Sequence, residues 1–377
     1  MKGLKIALIG ILSMLVLFMS AVLWWYLDKG AEAGLRWNTG TYGMWEGACT
    51  LKNTREIDVT QVSGLKMDFV GTGYDIYLEP SQGQKVILEE YFSYDPKQEQ
   101  FASVENGGKT LAIHGNTTRG DHFFNFGINR AGYVKLLVPA ELFSQLDSLE
   151  IENSSGSISF EFSQQELAEN MNLNRLELAT SSGDIKAPFL RAETGKLNAS
   201  SGQLKIGACE GDFSMNTSSG DIRLESCVGN LELNSSSGDK KIGSCVGDLE
   251  TEASSGDTEI ETCRGYLSAN ASSGTVKVRA LAGGADIQTT SGEINLTVEE
   301  LLGDISLKGS SGGVTLSLPQ NSSFTFEAKT SSGSIHTYFD EDLSYNKKGN
   351  QAQGTVGTDA SYSIRCGFTS GSVRVTD

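Results

Sequence analysis

Five consecutive intervals of 18 residues separate Gly202, Gly220, Gly238, Gly256, Gly274 and Gly292. Each of these glycines closes a Ser-Gly step. The copies read SSGQLKIGACEGDFSMNT, SSGDIRLESCVGNLELNS, SSGDKKIGSCVGDLETEA and SSGDTEIETCRGYLSANA. The signal loosens outside residues 200–292 but persists, because Gly156, Gly183, Gly312, Gly333 and Gly371 also follow serine. A short fixed period means stacked units that cannot bury a face alone. The repeat therefore predicts an all-β, single-stranded, mainly parallel β-solenoid with 18-residue rungs.

One rung can be phased on Gly220. Ile222 and Leu224 share one strand face, and Asp221 and Arg223 take the other. A second strand follows Gly229, with Leu231 and Leu233 inward. Leu204, Ile222, Val276 and Ile294 then form one core column. Ile206, Leu224, Ile242, Ile260, Val278 and Leu296 form the next. Successive rungs should lie about 4.8 Å apart in parallel ladders. The Ser-Ser-Gly corners suit a tight turn in which glycine supplies φ > 0 and serine hydroxyls satisfy the backbone. Lys240 and Thr258 interrupt the column of Ile222, so either those rungs open locally or that corner is wet. A three-sided coil would need an apolar residue every six, which Asn234 and Lys240 break.

Asn198, Asn216, Asn234 and Asn270 recur four residues before the corner glycine and suggest a stacked amide ladder. Cys209, Cys227, Cys245 and Cys263 stack in one column flanked by Leu190 and Leu281. They read as buried thiols. Inter-rung disulfides and a metal thiolate are the alternatives, the latter without Cys-x-x-Cys pairs or a nearby histidine. Cys49 and Cys366 stand apart and could pair if the ends of the fold meet. Asp184, Asp221, Asp239, Asp257 and Glu293 follow the corner glycine. Lys186, Lys205, Arg223, Lys241 and Lys277 lie two residues beyond that row. A cation-binding carboxylate row is one reading; a cross-strand charge lattice is the other and is preferred here.

Residues 55–150 alternate as strands, as in REIDVTQVSGLKMDFV, YDIYLEP and GYVKLLVP, and should form a β-rich cap over the open end of the solenoid. Its His122, Phe123, Phe124 and Phe126 cluster fits core packing or a ligand platform. The polar, Gly-rich segment 338–360 reads as a flexible loop. Its Asp340, Glu341 and Asp342 are a solvated charge run or a weak cation site.

At the N-terminus, Lys2 and Lys5 precede the uncharged run from Ile6 to Leu27, with Trp24, Trp25 and Tyr26 at its end. Its length, flanks and aromatic belt predict a signal-anchor transmembrane helix over 1–30, with the rest of the chain outside. A cleaved signal peptide is the rival, but its apolar core would be shorter. Residues 31–54 would be a juxtamembrane linker, and 151–377 the repeat solenoid.

Asp and Glu number 47 against 30 Lys and Arg, which excludes the basic footprint of a nucleic-acid binder. The same balance disfavours unaided adhesion to anionic lipid or wall polymer. Three scattered histidines, His114, His122 and His336, leave little for a triad or zinc site. No cofactor, metal or catalytic residue is expected.

The strings SLEIENSSGSISF and LELATSSGDIKA, with the SSGD copies after them, resemble the toastrack-type adhesin family. These are bacterial β-strand-repeat proteins of largely unknown function. The likeness extends from REIDVTQVSGLKMDFV through the closing GTVGTDASYSIRCGFTSGSVRV, about residues 55–377. It implies a β-solenoid on the envelope, a scaffold role that includes envelope-stress systems, and no defined catalytic residues. The cysteine column and the regular period depart from the family pattern. The expected function is a membrane-anchored scaffold whose partners are membrane or envelope proteins; such rods can also self-associate. The alternative is a surface adhesin for glycan or cell-wall polymer. A polysaccharide lyase would need clustered carboxylates and cations off one wall, which the sequence does not gather.

Overall fold

The computed structural model describes residues 35–37, 49–116, 128–130 and 132–377. The predicted anchor at 1–30 and the cluster at His122, Phe123, Phe124 and Phe126 lie outside them. Among the described residues no helix is long and apolar enough to cross a membrane.

The repeat folds as its period dictates. Strand Ile222–Val228 pairs in parallel with Lys240–Val246, in the register Ile222↔Lys240, Leu224↔Ile242 and Cys227↔Cys245. Leu231–Ser235 pairs with Leu249–Ala253 in the same way, Leu231 opposite Leu249. Each partner lies 18 residues on, so every side chain stacks on its counterpart. Alternation does the rest: along 222–228 the inward Ile222, Leu224 and Cys227 are buried, and Arg223, Glu225 and Val228 are exposed. Burying one such aliphatic side chain contributes about 1.5–3 kcal/mol, so each rung holds only when its neighbours cover it. Where the period stretches, between Gly183 and Gly202, the register shifts between Arg191 and Thr194, which absorbs the extra residue as a bulge.

Both ends are built out of sequence order. At the N-terminal end, Gly64–Phe69 and Asp75–Ser81 form a rung held between two others. One is Ser148–Asn153 with Ile158–Phe160; the other is Thr110–His114 with Gly132–Pro139. At the C-terminal end, the last strands, Tyr362–Ser370 and Val373–Thr376, slide between the rung ending at Val314–Ser317 and the rung of Phe324–Ser332 and Ile335–His336. The parallel stack therefore includes 64–81, Thr110–His114 and Gly132–Pro139, which the sequence reading assigned to the cap.

Antiparallel strands close each end. Val86–Phe92 lies antiparallel on Gly132–Pro139, and Thr50–Ile57 on Val86–Phe92. Gln351–Val356 lies antiparallel on Phe324–Ser332, and Leu343–Tyr345 on Gln351–Val356. This corrects the flexible loop expected at 338–360. Phe339 is buried there, edge-on to Phe324 and Phe326 at 5.3 Å each, and pins the segment. Asp340 accepts hydrogen bonds from Thr337 Oγ1 at 2.6 Å and Tyr345 Oη at 2.5 Å, so it serves the turn. The outermost strand Thr50–Ile57 carries Lys52, Arg55 and Glu56, charges that discourage edge-to-edge pairing.

Candidate functional site

The site features grow from the two corners of the rung. At the Ser-Ser-Gly corner, a Cβ on Gly220 would sit 1.8 Å from the carbonyl oxygen of Gly202. Space, not φ, demands glycine there; only Gly256, Gly274 and Gly312 of this column take positive φ. The turn hydroxyl is also not that of the serine pair. Thr217 Oγ1 donates to Gly220 O at 2.7 Å, and Ser235 Oγ accepts from Gly238 N at 2.9 Å.

The acidic row beside this corner is a backbone relay. Asp221 Oδ1 accepts Asp239 N at 3.1 Å, Asp239 accepts Asp257 N at 2.9 Å, and Asp257 accepts Thr275 N at 2.7 Å. The basic row pairs alongside. Lys186 meets Asp184 at 3.0 Å, and Glu259 gathers Lys241, Lys277 and Arg279. Such exposed pairs contribute about 0–1 kcal/mol each. No group of three or more metal-ligating side chains occurs among the described residues.

The amide ladder forms and then stops. Asn216 Nδ2 donates to Asn198 Oδ1 at 3.1 Å, and Asn234 Nδ2 to Asn216 Oδ1 at 3.0 Å. Glu252 occupies the next position in the column. An ionised carboxylate has no proton to donate, so Asn234 Oδ1 is left buried without a partner.

Cys209, Cys227, Cys245 and Cys263 stack in the core as free thiols. A neighbouring thiol and burial push Cys227 and Cys245 far up, and burial pushes Cys263 up to about 12. Cys366 is also a free, buried thiol, in the second-last rung, whereas Cys49 precedes the N-terminal cap strand. The two stand at opposite ends of the stack.

Lys240 settles the interrupted column in a third way. It is neither in an open rung nor at a wet corner: it is 1% exposed and crosses the core to donate to Glu252 O at 2.8 Å. Thr251, Thr258 and Ala269 leave room for its chain. Burial pushes its ammonium down to about 8.

The second corner holds what sequence reading missed. Asp212 Oδ1 accepts Asn230 N at 3.2 Å, Asn230 Oδ1 accepts Asp248 N at 3.2 Å, and Asp248 Oδ1 accepts Tyr266 N at 2.9 Å. The Gly-Asp, Gly-Asn, Gly-Asp, Gly-Tyr steps at 211–212, 229–230, 247–248 and 265–266 carry the same period and could have revealed it.

Two concavities flank these features. A trough of about 810 Å³ runs beside the Ser-Ser-Gly corners, lined by hydroxyls and amides such as Ser254, Ser272, Asn270 and Gln288. A groove of about 580 Å³ lies near the second corner, lined by Asp212, Asn230, Glu232, Asp248, Glu250 and Tyr266, with the core residues Phe213, Leu231 and Leu249 behind it.

Residues 65–270 and 266–376 match the family model described as Toastrack DUF4097. The chain belongs to the Toastrack family. No curated protein matches it. Solved structures similar to this Toastrack chain include a candidate lipid-binding protein from Parabacteroides distasonis, 17% identical. That likeness covers 86% of this chain and 96% of the other, at a TM-score of 0.32. A candidate adhesin from Parabacteroides merdae is 13% identical over 86% of this chain and 96% of its own, at 0.26. A candidate cell adhesion protein from Clostridium sporogenes is 10% identical over 87% and 99%, at 0.19.

Proposed function

We propose that this Toastrack chain is an interaction scaffold of a bacterial envelope. The apolar run at 6–27 tethers it to the membrane, and the solenoid outside presents side-chain rows to envelope proteins. An envelope-stress role is part of this reading. The observation that carries it is the closure of both ends. Antiparallel strands cover the first and last rungs, so partners meet the flanks, where side chains repeat in 18-residue register. Repetition of equivalent contacts along a rigid rod favours avidity.

In-cell cross-linking of the tagged full-length chain, followed by mass spectrometry, tests it. Specific membrane or envelope proteins should be recovered, and lost when residues 202–292 are deleted. A second reading, an adhesin for glycan or wall polymer, draws on the hydroxyl- and amide-lined trough. Retention on glycan fractions with no protein cross-linked would favour it over the scaffold.

A further inference from the structure

The corner relay has one break that no packing need explains. Its column runs Asp212, Asn230, Asp248, Tyr266, Gly284 and Asp304. Tyr266 donates its backbone N–H to Asp248 Oδ1, but its ring offers no acceptor to the backbone N–H of the next rung. The relay resumes at Asp304, which accepts Ser363 N at 2.7 Å. An asparagine or aspartate at 266 would fit the local rule; instead an aromatic ring stands 46% exposed beside a glycine that leaves one flank open. Local rules are broken mostly where function compensates.

The same edge collects exposed apolar surface. Eight large apolar side chains are exposed among the described residues, and four of them, Val228, Val246, Tyr266 and Leu302, adjoin the glycines of this corner. Val228 and Val246 are direct neighbours in the ladder. Scattered exposed hydrophobes need no explanation, but four gathered at one corner, with the exposed Arg264 following Val246 in its ladder, mark a contact surface.

The groove that ends at Tyr266 adds charge. Phe213, Leu231 and Leu249 lie behind it as buried core side chains, its outer wall carries Asp212, Glu232, Asp248 and Glu250, and no lysine or arginine lines it. A row of carboxylates beside an exposed aromatic ring matches one kind of side chain. A lysine or arginine lays its aliphatic stem against the exposed Tyr266 ring and brings its cation to the carboxylates. A sugar would use Tyr266 but leave the valines and Leu302 unexplained.

We propose that this edge docks an extended basic segment of a partner protein. Its lysine or arginine side chains enter the groove, and its apolar side chains cover Val228, Val246 and Leu302. The inference rests on the scaffold reading and names the chemistry of the partner.

The test uses the full-length chain in nanodiscs of zwitterionic lipid and a fluorescent six-residue peptide of alternating lysine and leucine. Two variants separate the site from the fold. Tyr266→Asn removes the ring and restores a relay acceptor; Glu232→Lys with Glu250→Lys reverses the charge of the outer wall. The peptide should bind, weaken with added salt, and lose at least tenfold in affinity to each variant, and Tyr266→Asn should melt no lower than the parent. A glutamate–leucine peptide should not bind. Undiminished binding to either variant, equal binding of the acidic peptide, or binding of a neutral oligosaccharide in place of the basic peptide overturns the proposal. In-cell cross-links that survive Tyr266→Asn would sink this site alone, whereas their absence from the parent protein sinks the scaffold itself.

Discussion

Asp248 holds the backbone N–H of Tyr266 at 2.9 Å, one full rung away, and Tyr266 returns nothing to the rung after it. Two kinds of order meet at that bond. The relay below it repeats from rung to rung and stabilises the stack, whereas the aromatic ring above it occurs once in the column. Several other positions also depart from the repeat, and each departure makes a measurable difference.

Lys240 should make stability depend on pH in an unusual direction. Its ammonium titrates at about 8 when folded and at the ordinary 10.5 when unfolded. Between those values the unfolded chain binds more protons, so stability rises with pH across that window and is at its lowest below it. The span corresponds to about 3 kcal/mol. Thermal melts from pH 7 to pH 10.5 should show the rise, and Lys240→Met should abolish it while stabilising the protein at pH 7. A Lys240→Met protein that melts lower at pH 7 would contradict this account.

Glu252 should be a stability defect. Glu252→Asn supplies the amide that Asn234 Oδ1 lacks. A restored buried hydrogen bond contributes about 0.5–1.5 kcal/mol. Denaturant unfolding of Glu252→Asn should shift to higher concentration with an unchanged slope; a shift to lower concentration would show that Asn234 is satisfied in another way.

The thiol column should be inert in the folded state. The nucleophile is the thiolate, and the raised Cys227, Cys245 and Cys263 hold little of it at neutral pH. Iodoacetamide at pH 8 should leave these three and Cys209 unmodified until denaturant is added. Rapid labelling of the native protein, read by peptide mass, would refute the buried assignment.

Removal of chain from the two places should have opposite consequences. Deletion of residues 239–256 joins Gly238 to Asp257, removes one rung and keeps every ladder in register. That protein should stay folded and cooperative. Deletion of 360–377, although terminal in sequence, takes out a rung held between two others. That protein should be digested by protease where the first is resistant; equal resistance would mean that the end can reclose without its inner rung.

The rung was legible because its determinants are local. Alternation sets which residues face inward, and the period sets which residues stack, so the columns of Ile222, Leu224 and Cys227 could be written before any coordinates. The ends were not legible for a physical reason. Which strand lies beside Phe324–Ser332 depends on ladder pairing over long sequence separations, and nothing in the string of Tyr362–Ser370 says that it inserts rather than follows. The helix Gln164–Asn170 was overlooked although Ser163 and Glu166 write its capping box, with Glu166 Oε2 accepting Ser163 N at 2.9 Å. Lys240 was read as a breach because sequence cannot show that Thr251 and Ala269, on the facing strand, make room for it. The groove at Tyr266 escaped notice because its lining residues come from successive rungs, 18 residues apart in sequence.

The most direct test of the account places a photo-cross-linking aromatic amino acid at position 266 of the full-length chain in living cells, and the same group at position 223 on the charged face as a control. The account predicts adducts to a discrete envelope protein from position 266 and none to that protein from position 223. No protein adduct from 266, or the same adducts from both positions, would contradict it.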